Sequence, residues 1–548
     1  MGATHEVFNQ STPLVGVNLY AANRPLIDAL AHHAPALDTG ALAQLGEEAG
    51  SERMQTDARL ANFHAPVLHT HDRYGRRIDQ VEFHPSYHAL IGSALRHGLH
   101  GTPWSRGRHA HLERAAAFML FTEAEPSVLC PVSMTYAVTP ALRANSAIHA
   151  AWSGKLASTA YDPRFVPVER KSAVTMGMGM TEKQGGSDVR ANTTRAEPDG
   201  SDAWGERYRL TGHKWFLSAP MCDAFLVLAQ APGGPSCVFV PRHAPDGSVN
   251  PIAIQRLKHK LGNHANASSE VEFERTAGWR VGEEGRGIAQ ILAMGTLTRL
   301  DCALGSAGLM RQALALAIHH TRERHAFGRR LALQPAMTAV LADLALESEA
   351  ATALALRLAA SVDASENGAD AHEAVLRRVL TPVAKFWVCK RGSAFAQEAM
   401  ECLGGNGYVE AQGEGVMARI YREMPLNSIW EGAGNVMALD LLRALRGADV
   451  AAVLADELGP VRGAHPALDR AIERLLDAVD GSVVEAQARA LACEAALVLQ
   501  AALLRRHSTD AVFGAFCASR LERRGAEVYG MLPAGTDARA IVERAFPA

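Results

Sequence analysis

Met176-Gly177-Met178-Gly179-Met180-Thr181-Glu182-Lys183-Gln184-Gly185-Gly186-Ser187-Asp188 marks the place where the texture of this chain changes. Before it, residues 1 to about 175 read as mostly helical, with loops between; 112–122, for example, carries apolar residues at helical spacing. Glu82-Phe83-His84-Pro85 reads as a turn, because a proline disfavours helix at the residue before it. After the junction, 208–211, 224–228 and 237–240 read as strands between Gly, Pro and Asp turns. Residues 271–274 alternate apolar and acidic, as a half-buried strand does. The junction itself is rich in small and hydroxyl residues. Such a segment lets backbone N–H groups approach a ligand closely, although Gly-Gly-Ser-Asp is also ordinary turn chemistry.

Helices return after Gly287. The spacing predicts long ones over 288–324, 335–361 and 372–403, and a fourth starting at Asn435 and running to about Leu445. Asn367-Gly368 separates the second from the third, and Gly404-Gly405-Asn406-Gly407 stops the third, since Gly and Asn tolerate the left-handed conformation that ends a helix. Gly459-Pro460 and Gly463-Ala464-His465-Pro466 precede most of a further helical stretch. Runs of helices, then strands, then helices indicate segregated α and β domains, hence the α+β class. The expected division is a helical domain over 1–177, a β domain over 178–284, a helical bundle over 285–446 and an extra helical domain over 447–548.

Composition agrees and excludes several classes. A chain of 548 residues is too long for one core. A net charge of -3 gives no global basic surplus for nucleic acid. No run of 18 uncharged apolar residues suggests a membrane span, and the start lacks a secretory pattern. Glu6 stands where a myristoylation start needs Ser or Thr. The eight cysteines form no CxxC pair and read as reduced thiols of a cytoplasmic protein. His69 and His71, His109 and His111, and His319 and His320 lack companions at metal-ligand spacing, so no metal site is expected.

Four more segments could carry chemistry. Gly212-His213-Lys214-Trp215-Phe216-Leu217-Ser218 offers aromatic faces and a hydroxyl, suited to a flat heterocycle or to a sheet core. Arg324-His325-Ala326-Phe327-Gly328 closes a helix, where basic groups often only face the helix dipole. Gly404-Gly405, following Gln397, could admit a phosphate or merely stop a helix. Trp430-Glu431-Gly432-Ala433-Gly434-Asn435 puts a carboxylate beside an indole at a helix start, as an N-terminal acid or as a base in an apolar pocket.

In this order and spacing the segments resemble the acyl-CoA dehydrogenase superfamily over about residues 1–446. The 176–189 segment, Asn192-Thr193-Thr194-Arg195-Ala196-Glu197-Pro198 and Asn427-Ser428-Ile429-Trp430-Glu431-Gly432 are similar to its AidB branch, which is tied to the bacterial response to alkylating agents. The last hundred residues resemble that branch's extra helical domain in length and character. The resemblance implies a helical N-terminal domain, a β domain and a C-terminal four-helix bundle, with FAD between the last two. No GxGxxG follows a strand, so a Rossmann site is not expected.

The resemblance also implies site residues. Met180, Thr181, Gly186 and Ser187 would lie against the flavin ring and pyrophosphate. Phe216 stands where many relatives stack a Trp on the ring, and Ser218 where they bond flavin N5 with a Thr. Arg324 and Phe327 would reach a neighbouring subunit's FAD, as would Gln397 with Gly404 and Gly405, so a homotetramer is expected. Gly432 and Asn435 fall in the cofactor-binding stretch after the base. Glu431 aligns with the catalytic base that removes the α-proton of an acyl-CoA. Where some relatives carry the base on the first bundle helix, this chain has Thr298, which cannot serve. Arg443, twelve residues beyond Glu431, either faces the pocket or is a structural helix-end residue.

Two roles remain open at the level of sequence. One is a working short- or branched-chain acyl-CoA dehydrogenase. The other, favoured by the branch signatures and the tail, is a flavoprotein of the response to DNA alkylation, binding DNA and protecting it or detoxifying alkylating agents, with weak or vestigial dehydrogenation. From Gly447 onward the chain has 11 basic residues, all Arg, against 14 acidic ones, which argues against phosphate binding on average. Clustering argues the other way. Arg505 and Arg506 are adjacent, and Arg520, Arg523 and Arg524 would share one helix face, giving a candidate patch for double-stranded DNA.

Overall fold

The computed structural model describes residues 4–367, 370–411, 415–447, 449–481, 484–522 and 528–547. The first helices are α1 (Arg24–His33), α2 (Gly40–Gly50) and α3 (Glu52–Phe63), followed by a hairpin of β1 (Val67–His71) and β2 (Arg77–Glu82). Then come α4 (Pro85–Arg96), α5 (Ala110–Ala124), α6 (Leu129–Leu142) and α7 (Ser146–Leu156). The expected turn at 82–85 is the end of β2 and the start of α4, where His84 caps the helix and Pro85 takes its first turn, a position that needs no N–H. The β1–β2 hairpin was not foreseen, because its strands are short and largely polar.

A seven-stranded sheet follows: β3 (Met176–Gly179), β4 (Arg195–Asp202), β5 (Gly205–Ser218), β6 (Ala224–Ala231), β7 (Gly234–Pro241), β8 (Ile252–Leu257) and β9 (Ser268–Val281). All four strands read from sequence lie within β5, β6, β7 and β9. β6, β4, β5, β9 and β7 pair in a closed ring, with β3 added parallel to β6 and β8 antiparallel to β9. Closure leaves few bare edges, the usual solution for a small antiparallel sheet. Gly177 and Gly179 of β3 are required by contact: a Cβ at Gly177 would lie 2.5 Å from Phe225, and one at Gly179 would lie 2.9 Å from Leu217.

The helical part that follows has α8 (Gly287–Glu323), a minimal hairpin of β10 (His325–Ala326) and β11 (Arg329–Arg330), α9 (Pro335–Asn367), α10 (Ala371–Cys402), the short α11 (Gly405–Tyr408), α12 (Val416–Asn427) and α13 (Gly434–Leu445). The four bundle helices read from sequence match α8, α9, α10 and α13 to within a few residues; α12, between glycines and containing Pro425, was missed. The expected break at Asn367-Gly368 coincides with the end of α9, and Gly368 itself lies outside the described residues. Asp370 caps α10 by accepting from Glu373 N–H. Past the bundle lie α14 (Val450–Leu458), α15 (Pro466–Asp480), α16 (Ala488–His507), α17 (Asp510–Phe516) and α18 (Ala538–Ala545).

Two compact units are formed, and they do not follow the linear order. One gathers residues 1–55, 111–124 and 302–548; the other gathers 56–110 and 125–301. The first is helical: α9 and α10 pack side by side, with α12 and α13 on α10, and α1, α16 and α18 on α9. The second holds the sheet, with α6 and α7 beside it and the β1–β2 hairpin docked on β8 through Asp79, which accepts from Ile254 N–H at 2.9 Å. One stretch, Glu485–His507, is long and apolar enough to cross a membrane, but its apolar window is 67% buried, as in a core helix.

Candidate functional site

The junction loop of the sheet unit is organised around one buried carboxylate. Glu182 accepts from the N–H groups of Thr193 (2.7 Å) and Thr194 (3.1 Å), from Gln184 Nε2 (2.7 Å) and from Lys214 Nζ (2.7 Å). Lys214 also donates to the Leu228 carbonyl at 2.8 Å. Burial alone would raise the Glu182 carboxyl, but the Lys214 and Thr193 hydrogen bonds outweigh it and hold it at about 2. Burial likewise pulls the Lys214 ammonium down, against the pull of Glu182, to about 8, so both are ionised at neutral pH. Asn192 Nδ2 donates to the Met180 carbonyl at 2.7 Å, and Trp215 N–H donates to the Thr181 carbonyl at 2.8 Å. These bonds splice the loop to β5, which carries the aromatic segment.

The loop therefore presents a fixed edge. Met180 and Thr181 are half-buried, while Gly186 and Ser187 are exposed beside them. A Cβ at Gly186 would stand 3.4 Å from Thr181 Cγ2, so the glycine keeps the edge narrow. Phe216 shows 46% of its surface, which leaves an aromatic face available. Its neighbour Trp215 carries the Lys258 ammonium 3.1 Å from its ring centroid, a cation–π contact. Half-buried Ser218 has its hydroxyl 3.5 Å from that of Ser268, which in turn accepts from Lys260 Nζ at 3.2 Å. A narrow backbone edge, hydroxyls and an open aromatic face fit a flat heterocycle with an anionic tail. The side-chain chemistry therefore fits a flavin nucleotide.

The helical unit carries Glu431, the candidate base. Glu431 is half-buried between α12 and α13, and its φ of +58° is left-handed; Gly432 follows at +109°. A non-glycine residue held there carries strain of roughly 1–3 kcal/mol, which persists only where surroundings enforce it. Lys385 of α10 bonds both flanks of this residue: its Nζ donates to the carbonyls of Trp430 at 2.8 Å and Gly432 at 2.5 Å. Trp430 is itself tied back by its Nε1 to Asn427 Oδ1 at 3.0 Å. Ala433, at the cap position of α13, has no side-chain oxygen to offer, so the helix start is uncapped by its own cap residue. Asn435 Oδ1 accepts from Arg489 of α16 at 2.8 Å, so a residue of the tail touches the expected cofactor-binding stretch.

Within the same unit, Arg324 follows α8 and donates to the Asn9 carbonyl. Asn9 also exchanges two hydrogen bonds with His325, at 2.8 and 2.9 Å. Asn406 donates to Gln10 at 2.9 Å. The N-terminal strap thus joins the Arg324–Phe327 hairpin to the Gly404-Gly405 turn, where Gly404 has the expected left-handed φ of +61°. Phe327 sits at the hairpin tip, 95% exposed. Gln397 is exposed and makes a long 3.4 Å contact to Glu401. Arg443 is exposed in the last turn of α13, a helix-end position.

The tail arginines require a correction. Arg520 is not on a surface patch: its side chain is buried against Asp343 (2.5 Å) and Glu347 (3.4 Å) of α9. Arg506 is likewise turned inward, pairing with Glu457 at 2.7 Å. Only Arg505 of the described three is exposed, and it faces Asp510 at 3.4 Å. Arg523 and Arg524 lie outside the described residues. The physical reason is that α9 buries two carboxylates one turn apart, and buried charge demands a partner.

Sequence reasoning missed Glu182, Lys214, Lys385, Arg489 and the strap. One signal was present for Lys214: it shares the parity of Tyr208 and Leu210, which places it on the inward face of β5. Among the described residues no group of three His, Cys, Asp or Glu side chains is gathered as a metal site.

Comparison with known proteins places these features. Residues 9–163 match the family model of the adaptive response protein AidB N-terminal domain. Residues 177–276 match the acyl-CoA dehydrogenase middle domain, and 285–446 match its C-terminal domain. The AidB protein of Escherichia coli (strain K12) is 46% identical over 528 residues, 95% of each chain. The structure of Caenorhabditis elegans ACDH-11 in complex with C11-CoA has a TM-score of 0.84 at 26% identity, covering 95% of this chain and 94% of that one. An acyl-CoA dehydrogenase from Bacillus anthracis complexed with FAD shares the fold at a TM-score of 0.63 and 17% identity, covering 80% and 81% of the two chains.

Proposed function

The chain belongs to the acyl-CoA dehydrogenase family, in its AidB branch, and on that premise we propose that it is an FAD-dependent oxidoreductase acting on acyl thioesters, with Glu431 as its base. The observation that carries the reading is Glu431 itself, a half-buried carboxylate in a left-handed conformation whose two neighbours are bonded by Lys385. FAD, when bound, would supply the two-electron acceptor for the β-hydride. Glu431 accepts the α-proton, leaving an α,β-double bond in the product. Its own backbone N–H donates to the thioester carbonyl as negative charge develops there. Thr181, Gly186 and Ser187, with Met180, Phe216 and Ser218, would hold the cofactor's ring and pyrophosphate. Gly432 and Asn435 complete the cofactor contacts. Arg324, Phe327, Gln397, Gly404 and Gly405 serve a neighbouring subunit in a homotetramer, and the exposed ring of Phe327 supports that assignment. The test is anaerobic bleaching of the flavin by acyl-CoAs from short and branched chains to C11, the length bound by the nematode relative. No bleaching by any of them would refute the reading.

The 46% identity over nearly the whole chain to AidB supports a second level, the biological role. We propose that the protein acts in the cytoplasm in the response to DNA alkylation, with double-stranded DNA as a partner and dehydrogenation as a secondary activity. Arg506 and Arg520 are no longer part of the proposed DNA contact; Arg505 remains, with Arg523 and Arg524 untested by the structure. A DNA titration at several salt concentrations checks this, and absence of binding at low salt would remove DNA from the account.

A further inference from the structure

The Trp430 carbonyl bonded by Lys385 belongs to the same peptide group as the Glu431 N–H. A cation on the oxygen of a peptide draws electron density from its nitrogen and makes the N–H a stronger donor, the cooperative effect expected of chained hydrogen bonds in a dry environment. Lys385 is 1% exposed, so water does not screen it. Its described hydrogen bonds go only to carbonyls, at 2.8 and 2.5 Å, so within the described residues no carboxylate bonded to it neutralises its charge. It projects from α10, whose neighbours in the unit include α9, α12, α13 and α16, so its place is fixed by the packed bundle.

We propose that Lys385 is a positioning residue for the thioester oxidation: it locks Glu431 in its left-handed conformation and polarises the Trp430–Glu431 peptide, so that the Glu431 N–H stabilises the enolate oxygen as the α-proton leaves. The proposal rests on the reading of Glu431 as the base. The two parts are physically distinct. A mere fastener would hold the loop, and any group that filled the space and bonded the carbonyls would replace it. A polarising cation lowers the acidity threshold of the bound thioester, and an uncharged replacement loses that effect even where the loop stays in place.

The test uses flavin-loaded protein, wild type, Lys385→Met and Lys385→Gln, and the probe 3-thiaoctanoyl-CoA. Its sulfur in place of the β-carbon allows α-proton removal but not hydride transfer, and the enolate gives a long-wavelength charge-transfer band with the oxidised flavin. The pH at half-maximal band should rise by about one unit in Lys385→Met, a tenfold loss of enolate stabilisation. Lys385→Gln, which can bond a carbonyl but carries no charge, should raise the midpoint as Lys385→Met does. Hydrogen exchange over 428–434 should quicken about tenfold in Lys385→Met. An unchanged band midpoint in the variants overturns the polarising role, and unchanged exchange overturns the hold on the loop. If wild type gives no band with this probe or with its longer and shorter homologues, the assignment of the base fails; exchange over 428–434 then decides the hold of Lys385 by itself, faster exchange supporting it and unchanged exchange overturning it.

Discussion

Lys214 Nζ lies 2.7 Å from Glu182 Oε1, and neither side chain exposes any surface. One end of this pair is on the central strand β5, and the other is inside the loop assigned to the cofactor. Charge is here used for geometry. A buried pair adds little net stability, but breaking it strands the partner in a dry site at a cost of about 3–5 kcal/mol. Lys214→Met should therefore lower the melting transition of the sheet unit markedly and release FAD. The double change Glu182→Met with Lys214→Met should recover most of the stability yet still bind FAD poorly, because the loop loses the acceptor for Thr193 and Thr194. Thermal melts beside flavin content measure both, and full FAD retention in the double variant would show that the pair does not shape the site.

Glu431→Gln keeps the shape and removes the basicity. The variant should remain yellow and lose about 10²–10⁴-fold in the rate of flavin reduction by a thioester. Stopped-flow absorbance under anaerobic conditions measures this, and an undiminished rate would assign the base elsewhere.

Phe327 is nearly bare and carries a left-handed φ of +51° at the hairpin tip. Phe327→Asp should leave the folding of each unit unchanged. In the proposed tetramer it should also shift sedimentation to smaller species and lower FAD occupancy, since ligand and assembly stabilise each other by linkage. A flavin-saturated tetramer in the variant would remove this ring from the interface.

Acid should loosen the helical unit through histidines. His33 and His507 have ring centroids 6.1 Å apart, with His32 5.0 Å from His33 and 5.5 Å from His507. Burial, followed by the charge of Arg357 and the neighbouring imidazoles, lowers His33 to about 2; burial, His32 and Arg544 lower His507 to about 4. At His507, Asp28 opposes this only in part. Folded pKa values below the unfolded value of 6.5 mean that the unfolded chain binds more protons in the window between them. Stability is therefore full above pH 6.5 and falls as the pH drops from 6.5 towards 4, by at most about 3 kcal/mol from His507. Urea melts from pH 7 to pH 4 should show the fall, and His507→Gln should flatten it.

Arg520 bolts the tail to α9, so Arg520→Ala should act on stability first. Leaving Asp343 and Glu347 with a lost partner should cost about 3 kcal/mol or more. A surface phosphate contact would instead reduce the salt slope of DNA binding by about one. A changed salt slope with unchanged stability would return Arg520 to the DNA account.

Periodicity in the sequence determined the class and most of the elements. Strand-forming runs between turn residues marked β5, β6 and β7, alternation marked β9, and helical spacing marked α8, α9, α10 and α13, because each pattern is set by backbone geometry over a few residues. Motif order singled out the candidate cofactor loop around Thr181 and the candidate base Glu431, since those segments are contiguous in the chain. Partners far apart in sequence were beyond its reach. Lys385 meets Trp430 and Gly432 across 45 and 47 positions, Arg520 meets Asp343 across 177, and Asn9 meets His325 across 316. Whether an arginine faces solvent or a buried carboxylate depends on which helices pack together, and local spacing carries no record of that. Tertiary structure therefore turned two arginines of a predicted basic surface, Arg506 and Arg520, into interior bolts. It also brought Lys385, which no motif had singled out, onto the carbonyls on either side of Glu431.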